Sequence, residues 1–305
     1  MSVTSMIFKF FLGIYKILPL KKQLCQLVRA TGIPNKKFYK DMKFEGEFEV
    51  QVTSEARFKL YHHNSTIENE IFWKGLGKSW EEDTVWIIAE LAKTSDVIFD
   101  IGANTGVYSL LSKSLNPKAK IYAFEPVQRT FKRLEQNIAI NNFDVTTEQI
   151  ALSDKSGKQI FYDTYAEHQQ SSSLSPDKLK NTSWNTEKIV EYEIETITLD
   201  DYISKKGIQK IDLMKIDVEM HEPEVIEGFK KHLALFQPYI IIEVLETVIA
   251  DKLNTVFANG GYKIFHLDEV NVLIEKNKIE LVPDKWNYLV CTPAKAEKLQ
   301  KFIKK

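Results

Sequence analysis

The part of the sequence richest in reactive groups is an apolar, strand-like run that ends in acidic residues and a histidine. In KIDLMKIDVEMHE, residues 210–222, a strand period of two places Asp217 and Glu219 on one face, and His221 follows in the loop. Glu243 ends a second apolar run, YIIIE. Carboxylate and imidazole groups exchange protons with hydroxyl groups near neutral pH, so these four side chains are the predicted catalytic residues.

The role of each group stays open at the level of sequence. His221 belongs to the residue type whose ordinary pKa best suits a general base, whereas Asp217 and Glu243 could orient a substrate hydroxyl or take its proton. A plainer interpretation makes His221 a solvated loop residue, and Glu222 and Glu224 favourable charges in the first turn of a helix. The same group of acids and histidine would also suit a metal ion, but hydrogen bonding to a substrate explains the acids equally well, and no metal is predicted.

A glycine-containing turn, DIGANTG at residues 100–106, stands between a predicted strand and a predicted helix. Gly102 and Gly106 let the backbone approach a ligand, and the free N–H groups at the start of the helix attract an anion. The dinucleotide fingerprint G-x-G-x-x-G is not met, because Asn104 and Val107 occupy its second and third glycine positions. A turn of this type beside an acid suits a ligand with a carboxylate and an ammonium, which indicates S-adenosylmethionine.

Acidic residues mark the ends of three successive predicted strands. Asp100 ends the strand before the turn, Glu125 ends the next one, and Asp154 follows the third. The carboxyl ends of parallel strands meet at one edge of the sheet, where open α/β folds bind their ligands. Glu125 is therefore placed to accept both ribose hydroxyls, Asp154 to meet an adenine edge, and Asp100 or a nearby acid to accept the ammonium. A plain strand–turn–helix explains the glycines but not these acids.

From about residue 82 the sequence alternates apolar strands with helix-compatible segments, which predicts an α/β fold with a parallel sheet covered on both faces. Residues 145–152 are predicted to form the third strand. The last two predicted strands, at 261–267 and 287–292, lack a helical segment between them. We therefore expect them to form an antiparallel pair at the edge of the sheet.

An insertion at residues 153–209 interrupts this alternation. Segments 158–163 and 188–199 have the pattern of two strands and predict a hairpin. The stretch between them, residues 165–186, is polar and rich in Ser and Asn. A loop of this length is usually functional or disordered, so it is interpreted as a lid over the substrate, with surface disorder as the alternative.

The segments VIFDIGANTGVYS, AFEP, NIAINN, ALSD, TLDDYI, KIDVE-x-x-E and IIIEV occur in the order found in FkbM-type S-adenosylmethionine-dependent methyltransferases. The chain resembles that family over roughly residues 70–292. The resemblance implies a seven-stranded, Rossmann-like class I methyltransferase sheet with an antiparallel last strand. It also implies O-methylation of small molecules or sugars without a required metal. One departure is Met220, which stands where the motif KID-x-EG-x-E of the family has a glycine.

The strand-end acids and the resemblance together give the predicted cofactor-binding residues. An aromatic–Glu pair before the first core helix caps the cofactor pocket in the resembled family, and the resemblance implies this role for Trp80 and Glu81. The complete predicted set consists of Glu81, Asp100, Gly102, Asn104, Gly106, Glu125, Pro126, Asp154 and Asp217.

The first 69 residues are a predicted N-terminal extension, and residues 70–305 are the predicted methyltransferase domain. Residues 6–22 are apolar and aromatic, but shorter than the ~20 apolar residues of a membrane-spanning helix. This segment is interpreted either as a helix packed on the main domain or on a partner subunit of a homo-oligomer, or as an amphipathic helix on the membrane surface. No signal-peptide cleavage pattern and only two distant cysteines predict a cytoplasmic location, free or at the inner face of the membrane.

Charge and composition narrow the classes of function. The 41 Lys+Arg and 42 Asp+Glu give a formal net charge of -1, which argues against a broad nucleic-acid-binding surface. The leading hypothesis is an S-adenosylmethionine-dependent O-methyltransferase acting on a hydroxyl of a sugar, glycan or similar small polar acceptor. A catalytically inactive cofactor-binding subunit or regulator is the main alternative, which Met220 favours. Methylation of nucleic acid is disfavoured by the charge balance and by the lack of a Pro-Pro-aromatic motif.

Overall fold

The structure is a computed structural model of the chain. It describes residue 15 and residues 19–32, 39–78, 80–164, 172–173, 189–258 and 260–304. Within these ranges, no helix is both long enough and apolar enough to cross a membrane. Of the predicted amphipathic segment 6–22, only Tyr15 and residues 19–22 are described, so this interpretation lies largely outside the described residues. The predicted lid also lies outside them, apart from residues 172–173.

The described residues of the N-terminal part form α1 (Lys21–Ala30), a hairpin of β1 (Glu45–Gln51) and β2 (Arg57–His63), and α2 (Thr66–Lys74). The hairpin docks on the helix Gln128–Asn141 of the main domain through two side-chain amides. Oδ1 of Asn137 accepts the N–H of Tyr61 at 2.9 Å, and Oδ1 of Asn141 accepts the N–H of Lys59 at 2.6 Å. The predicted boundary between residues 69 and 70 falls inside α2.

Strands and helices then alternate along the chain. The first group contains α3 (Glu82–Ala92), β3 (Val97–Ile101), α4 (Val107–Leu115), β4 (Lys120–Phe124), α5 (Gln128–Asn141) and β5 (Val145–Glu148). The second contains β6 (Ala151–Leu152), β7 (Gly157–Thr164), β8 (Ser172–Ser173), β9 (Ile189–Ile197) and α6 (Leu199–Lys206).

The C-terminal half continues the alternation and ends in an antiparallel arrangement. Its first five elements are β10 (Leu213–Ile216), α7 (Glu222–Glu227), α8 (Lys230–Phe236), β11 (Tyr239–Glu243) and α9 (Thr247–Ala258). The last elements are β12 (Lys263–Glu269), β13 (Val272–Lys276), β14 (Asn287–Cys291), α10 (Pro293–Glu297) and a 3-10 turn, Gln300–Phe302.

The main sheet has eight strands in the order β13-β12-β14-β11-β10-β3-β4-β5. The five strands from β11 to β5 are parallel, and β14 is antiparallel to β11. Every residue of β3, β10, β11 and β14 is buried, as expected for a sheet covered on both faces. The predicted Rossmann-like methyltransferase sheet with an antiparallel last strand is confirmed, and β13 adds an eighth strand to the seven that were expected.

The predicted edge of this sheet needs a correction. The last two predicted strands, β12 and β14, do pair antiparallel, but β14 lies inside the sheet, between β11 and β12. The edge strand is β13, within the stretch that was predicted to be a mere spacer. Of its five residues only Leu273 is buried, as expected for a strand with a neighbour on one side, whereas every residue of β14 is buried.

The predicted third strand, residues 145–152, is in fact two short strands in different sheets. Strand β5 ends at Glu148, and β6 pairs with β9 in a second sheet of order β6-β9-β7-β8. Strand β5 is only half buried, because it forms the edge of the main sheet, so the chain can leave it after four residues. In the second sheet, β7 and β9 pair antiparallel from Gly157↔Thr196 to Thr164↔Ile189.

The order of the strands reverses between β3 and β10, and a close backbone contact joins the carboxyl ends of these two strands. Gly102 has a φ of +77°, and a Cβ built on it would lie 1.8 Å from the backbone oxygen of Asp217. The N–H groups of Gly102 and Ala103 both donate to the carbonyl of Phe124, at 3.0 and 2.9 Å. The ends of β3, β4 and β10 are therefore fixed to one another at the point where such folds bind ligands.

Alanine at position 102 should lower the free energy of unfolding far more than alanine at Gly261. Gly261 has a similar φ of +62° but open space around its Cβ position, so Gly261→Ala should cost only the left-handed strain of about 1–2 kcal/mol. Gly102→Ala adds a backbone clash to that strain. Urea unfolding of both variants checks this, and equal losses would contradict the close contact.

Candidate active site

A cavity of about 200 Å³ opens at the carboxyl ends of β3, β4, β10 and β11. Most of the predicted site residues line it: Glu81, Gly102, Asn104, Glu125, Pro126, Asp217, Glu219, His221 and Glu243. Apolar side chains cover another part of the wall, among them Phe124, Ile150, Leu152 and Phe161. The cavity thus combines an apolar surface with a carboxylate-rich one.

Three predicted cofactor residues are not among the lining residues. Asp100 is buried, and its Oδ2 accepts a hydrogen bond from Ser109 Oγ at 2.6 Å, so it holds the first turn of α4. Burial raises the pKa of Asp100 to about 6. Gly106, with a φ of +88°, packs against Leu134. Asp154 lines a separate surface groove, and the predicted adenine contact of Asp154 and ammonium contact of Asp100 stay predictions.

Glu125 fixes the glycine-containing turn from the end of β4. Its Oε2 accepts the N–H of Asn104, and its Oε1 accepts the N–H of Val127, both at 3.0 Å. Asn104 has a φ of +53°, which is a conformation that asparagine tolerates better than most residues. Each carboxylate oxygen has a second lone pair, so Glu125 can hold the turn and still accept ribose hydroxyls.

Three carboxylates meet where β10 and β11 end. One carboxylate oxygen from each of Glu81, Asp217 and Glu243 lies within 4.8 Å of the others, and we call these three residues the carboxylate cluster. Lys215, only 3% exposed, places its Nζ 3.4 Å from Asp217 Oδ2. The hydroxyl of Tyr108 donates to Glu81. A single buried ammonium therefore faces three acids.

Burial and the repulsion between the carboxylates shift the pKa values of Glu81 and Glu243 in the carboxylate cluster. Burial, reinforced by Asp217, raises the pKa of Glu243 well above its ordinary value. Burial also raises the pKa of Glu81, while Lys215 opposes the shift. Burial alone would lower the pKa of Lys215, but Asp217, Glu81 and Glu243 outweigh it and the pKa is raised. Lys215 is thus a cation at neutral pH, and the surroundings favour one more positive charge.

Lys215 and Tyr108 were missed in the sequence. A lysine inside an apolar strand, two positions before Asp217 and therefore on the same face, is a signal that could have found Lys215. Tyr108 lies in the first turn of α4, 5.5 Å from Trp80 between ring centroids. Trp80 and Glu81, the predicted capping pair, both line the cavity.

The loop after β10 has an unusual backbone. Glu219 and Met220 have φ values of 59° and 75°. Glu222 is 1% exposed, and its Oε1 accepts the N–H groups of Val218 and Met220, each at 3.2 Å. Glu222 and Glu224 do lie in the first turn of α7, as the plainer interpretation expected, and the carboxylate of Glu222 also holds the loop. Glu224 contacts Lys252 at 3.0 Å.

His221 lines the cavity but binds groups outside the carboxylate cluster. Its Nε2 lies 2.9 Å from Ser153 Oγ, and its Nδ1 lies 3.7 Å from Glu224 Oε2. Burial lowers the pKa of His221, although Glu224 and Asp154 oppose the shift. The structure brings Asp217 and Glu243 together as predicted, with Glu81 as the third member, but it engages His221 with Ser153 instead.

Met220→Gly should have a free energy of unfolding about 1 kcal/mol higher than that of Met220→Ala, because glycine lacks the left-handed strain that a Cβ causes at a φ of 75°. Met220→Ala is the matched control, since it removes the same side-chain packing but keeps a Cβ. Urea unfolding of the two variants separates the effects. A Met220→Gly protein no more stable than Met220→Ala would refute strain at this position.

The cavity suits S-adenosylmethionine on several counts. The turn at Gly102 has no room for a Cβ, so the backbone itself forms the wall. Glu125 is available for ribose hydroxyls, and Phe124, Ile150 and Leu152 offer an apolar surface for an adenine ring. The carboxylate cluster matches the positive charge of a sulfonium.

The sequence is similar to several known methyltransferases. The sequence is 28% identical over 190 residues to the hexuronic acid methyltransferase AglP of Haloferax volcanii, covering 62% of this chain and 73% of that protein. It is 32% identical to the 2-O-methyltransferase NoeI of Sinorhizobium fredii, covering 48% of this chain and 63% of that protein. It is 29% identical to the 31-O-demethyl-FK506 methyltransferase FkbM of Streptomyces tacrolimicus, covering 45% and 60%. The chain thus spans less than two thirds of the last two proteins.

A solved structure of methyltransferase FkbM from Methylobacillus flagellatus is 15% identical, covers 65% of this chain and 43% of that chain, and has a TM-score of 0.42. The sequence profile described as the methyltransferase FkbM domain matches residues 100–264, which is more than half of the chain. The chain belongs to the FkbM methyltransferase family and carries an S-adenosylmethionine-dependent methyltransferase domain.

Proposed function

We propose that the protein transfers a methyl group from S-adenosylmethionine to a hydroxyl of a sugar, glycan or similar small polar acceptor. The observation that carries this proposal is the carboxylate cluster at the wall of the cavity. Carboxylates bind hydroxyl groups through short, charge-assisted hydrogen bonds, and one of them can take the proton that the hydroxyl loses. The name of the hexuronic acid methyltransferase AglP supports a carbohydrate acceptor, and the name of the 2-O-methyltransferase NoeI supports transfer to an oxygen.

The ribose, the adenine and the methionine carboxylate of the cofactor each have a candidate partner in the cavity. Glu125 would hold the ribose, and the apolar wall around Phe124 and Leu152 would hold the adenine. The backbone N–H of Thr105, just ahead of α4, would receive the carboxylate of the methionine part. When bound, S-adenosylmethionine supplies an electrophilic methyl group on its sulfonium.

Glu243 is the proposed proton acceptor. It is 8% exposed and lines the cavity, and within the described residues its carboxylate has no hydrogen bond or ion pair. Asp217, already bound to Lys215, is the proposed residue that orients the acceptor hydroxyl. Placement of the hydroxyl oxygen behind the methyl carbon provides most of the rate, and proton removal by Glu243 adds to it.

A second candidate function is a cofactor-binding subunit without activity of its own. The strained backbone at Met220, where the family has glycine, favours it. The intact carboxylate cluster and the lined cavity favour the enzyme instead. The cytoplasmic location, the homo-oligomer and the membrane contact through residues 6–22 remain predictions.

Glu125→Ala should weaken S-adenosylmethionine binding by about tenfold to a hundredfold, because hydrogen bonds to a charged group are lost. Glu148→Ala is the matched control: Glu148 ends the neighbouring strand β5 but is not among the cavity-lining residues. Calorimetric titration of both variants measures the affinity, and urea unfolding checks that each is folded. An unchanged affinity for S-adenosylmethionine in folded Glu125→Ala would contradict the proposed contact between Glu125 and the ribose.

Methyl transfer itself is tested with isotope-labelled S-adenosylmethionine and a panel of acceptors that contains neutral glycans, hexuronic acid glycans and RNA. We expect label in a carbohydrate fraction, as an ether that survives mild base. Glu243→Gln should lower the rate by about 10²–10⁴-fold, and more than His221→Ala does. Labelling of RNA alone would overturn the proposed acceptor, and no labelling with intact cofactor binding would favour the inactive subunit.

A further inference from the structure

Lys215 is a buried charge that the proposed transfer step does not use directly. Its Nζ lies 3.4 Å from Asp217 Oδ2 and 3.4 Å from Asn287 Oδ1, and 5.7 Å from the ring centroid of Tyr108. Only 3% of Lys215 is exposed, so its ammonium has almost no contact with solvent. A lysine kept in such a place must be compensated by the acids that surround it.

The three members of the carboxylate cluster are not equivalent. Asp217 has Lys215 as an ion-pair partner, and Glu81 accepts a hydrogen bond from Tyr108. Glu243 has neither kind of partner within the described residues. Glu243 is therefore the member least stabilised in its ionised form.

The charged and polar groups that face Glu243 come from every element packed around it. Strand β10 contributes Lys215, the loop after it contributes Asp217, the segment before α3 contributes Glu81, and α7 contributes Glu222. Strand β14 places Asn287 directly opposite Glu243 in the sheet. The named neighbours thus include three acids and one cation.

We propose that Lys215 is a positioning residue that pairs with Asp217 and leaves Glu243, which has no such partner in the described residues, to carry a proton until the positive charge of the cofactor enters the cavity. Binding of S-adenosylmethionine then brings a second cation to the carboxylate cluster. The Glu243 carboxyl loses its proton to solvent and becomes the carboxylate that accepts the acceptor's proton. The base is therefore formed only in the presence of the methyl donor.

The direction of this change follows from the electrostatics of the free protein. Burial and the neighbouring Asp217 raise the pKa of Glu243, whereas Lys215 opposes the rise only in part. A sulfonium next to the same carboxyl stabilises its ionised form and so lowers its pKa again. The inference rests on the cavity as the cofactor site, and it does not depend on which acceptor is methylated.

The test is the number of protons released when the free full-length protein binds S-adenosylmethionine. Calorimetric titration at pH 7 in two buffers of different ionisation enthalpy gives this number directly. Wild-type protein should release about one proton more than Glu243→Gln. The α-amino group of the ligand contributes equally in both proteins, so the difference isolates Glu243. S-adenosylhomocysteine, whose sulfur is uncharged, should give less than half of that difference.

Lys215 is tested by repeating the titration across a range of pH. Removal of the ammonium in Lys215→Met should move the release to higher pH, by about one pH unit or more, because the carboxyls hold their protons more tightly. Lys215→Arg keeps the charge and should leave the range nearly unchanged. If Lys215→Met does not fold, the Glu243→Gln comparison still decides the proton's location.

Equal proton release in wild type and Glu243→Gln would overturn the inference. So would a folded Lys215→Met protein that releases its proton over the same pH range as wild type. Either result would leave the proposed carbohydrate methylation standing, because that proposal is judged by the labelling of acceptors. Conversely, the expected proton release without any labelled carbohydrate would support the inference about Lys215 and Glu243. It would contradict the proposal of a carbohydrate acceptor.

Discussion

The arrangement of the cavity depends on one buried positive charge, the ammonium of Lys215. Removing carboxylates and an ammonium from water costs roughly several kcal/mol per ion, and attraction offsets that cost only where the charges match. Three carboxylates around one lysine do not match, so the group is most stable when another cation joins it. The sulfonium of S-adenosylmethionine is such a cation, which gives this unbalanced cluster a physical reason to exist in a methyltransferase domain.

The rest of the site consists of backbone that must hold these charges in place. The contact between Gly102 and the Asp217 carbonyl brings the ends of β3 and β10 together, and it leaves no space for a side chain. Other carboxylates act as clamps on neighbouring turns. Glu125 holds the turn before α4, and Glu222 holds the left-handed loop at Met220. Acids in the described part of the site thus serve two purposes, because some of them hold backbone turns and those of the carboxylate cluster face the cavity.

Much of the fold and of the candidate site could be predicted from the sequence, because both follow in part from local sequence patterns. The alternation of apolar strands and helices predicts the parallel sheet, and the DIGANTG turn with Glu125 predicts the cofactor pocket. Asp217 and Glu243 were found because the carboxyl ends of parallel strands share one edge. Strand-end position does not reveal where a side chain points, so Asp100 and Asp154 were assigned to the cofactor although neither lines the cavity.

The remaining differences arise from tertiary packing. Whether β14 or β13 forms the edge depends on which strand has a second neighbour, and residues 145–152 contain no turn signal to show that they divide between two sheets. The contact between His221 and Ser153 joins residues that are 68 positions apart. No spacing rule within one strand or helix could predict it.

The most direct measurement is a crystal structure of the full chain with S-adenosylmethionine. The account predicts the ribose hydroxyls on Glu125, the adenine against Phe124 and Leu152, and the sulfonium facing Glu81, Asp217 and Glu243. A cofactor whose sulfonium points away from these three carboxylates, or one bound in the groove beside Asp154, would contradict it.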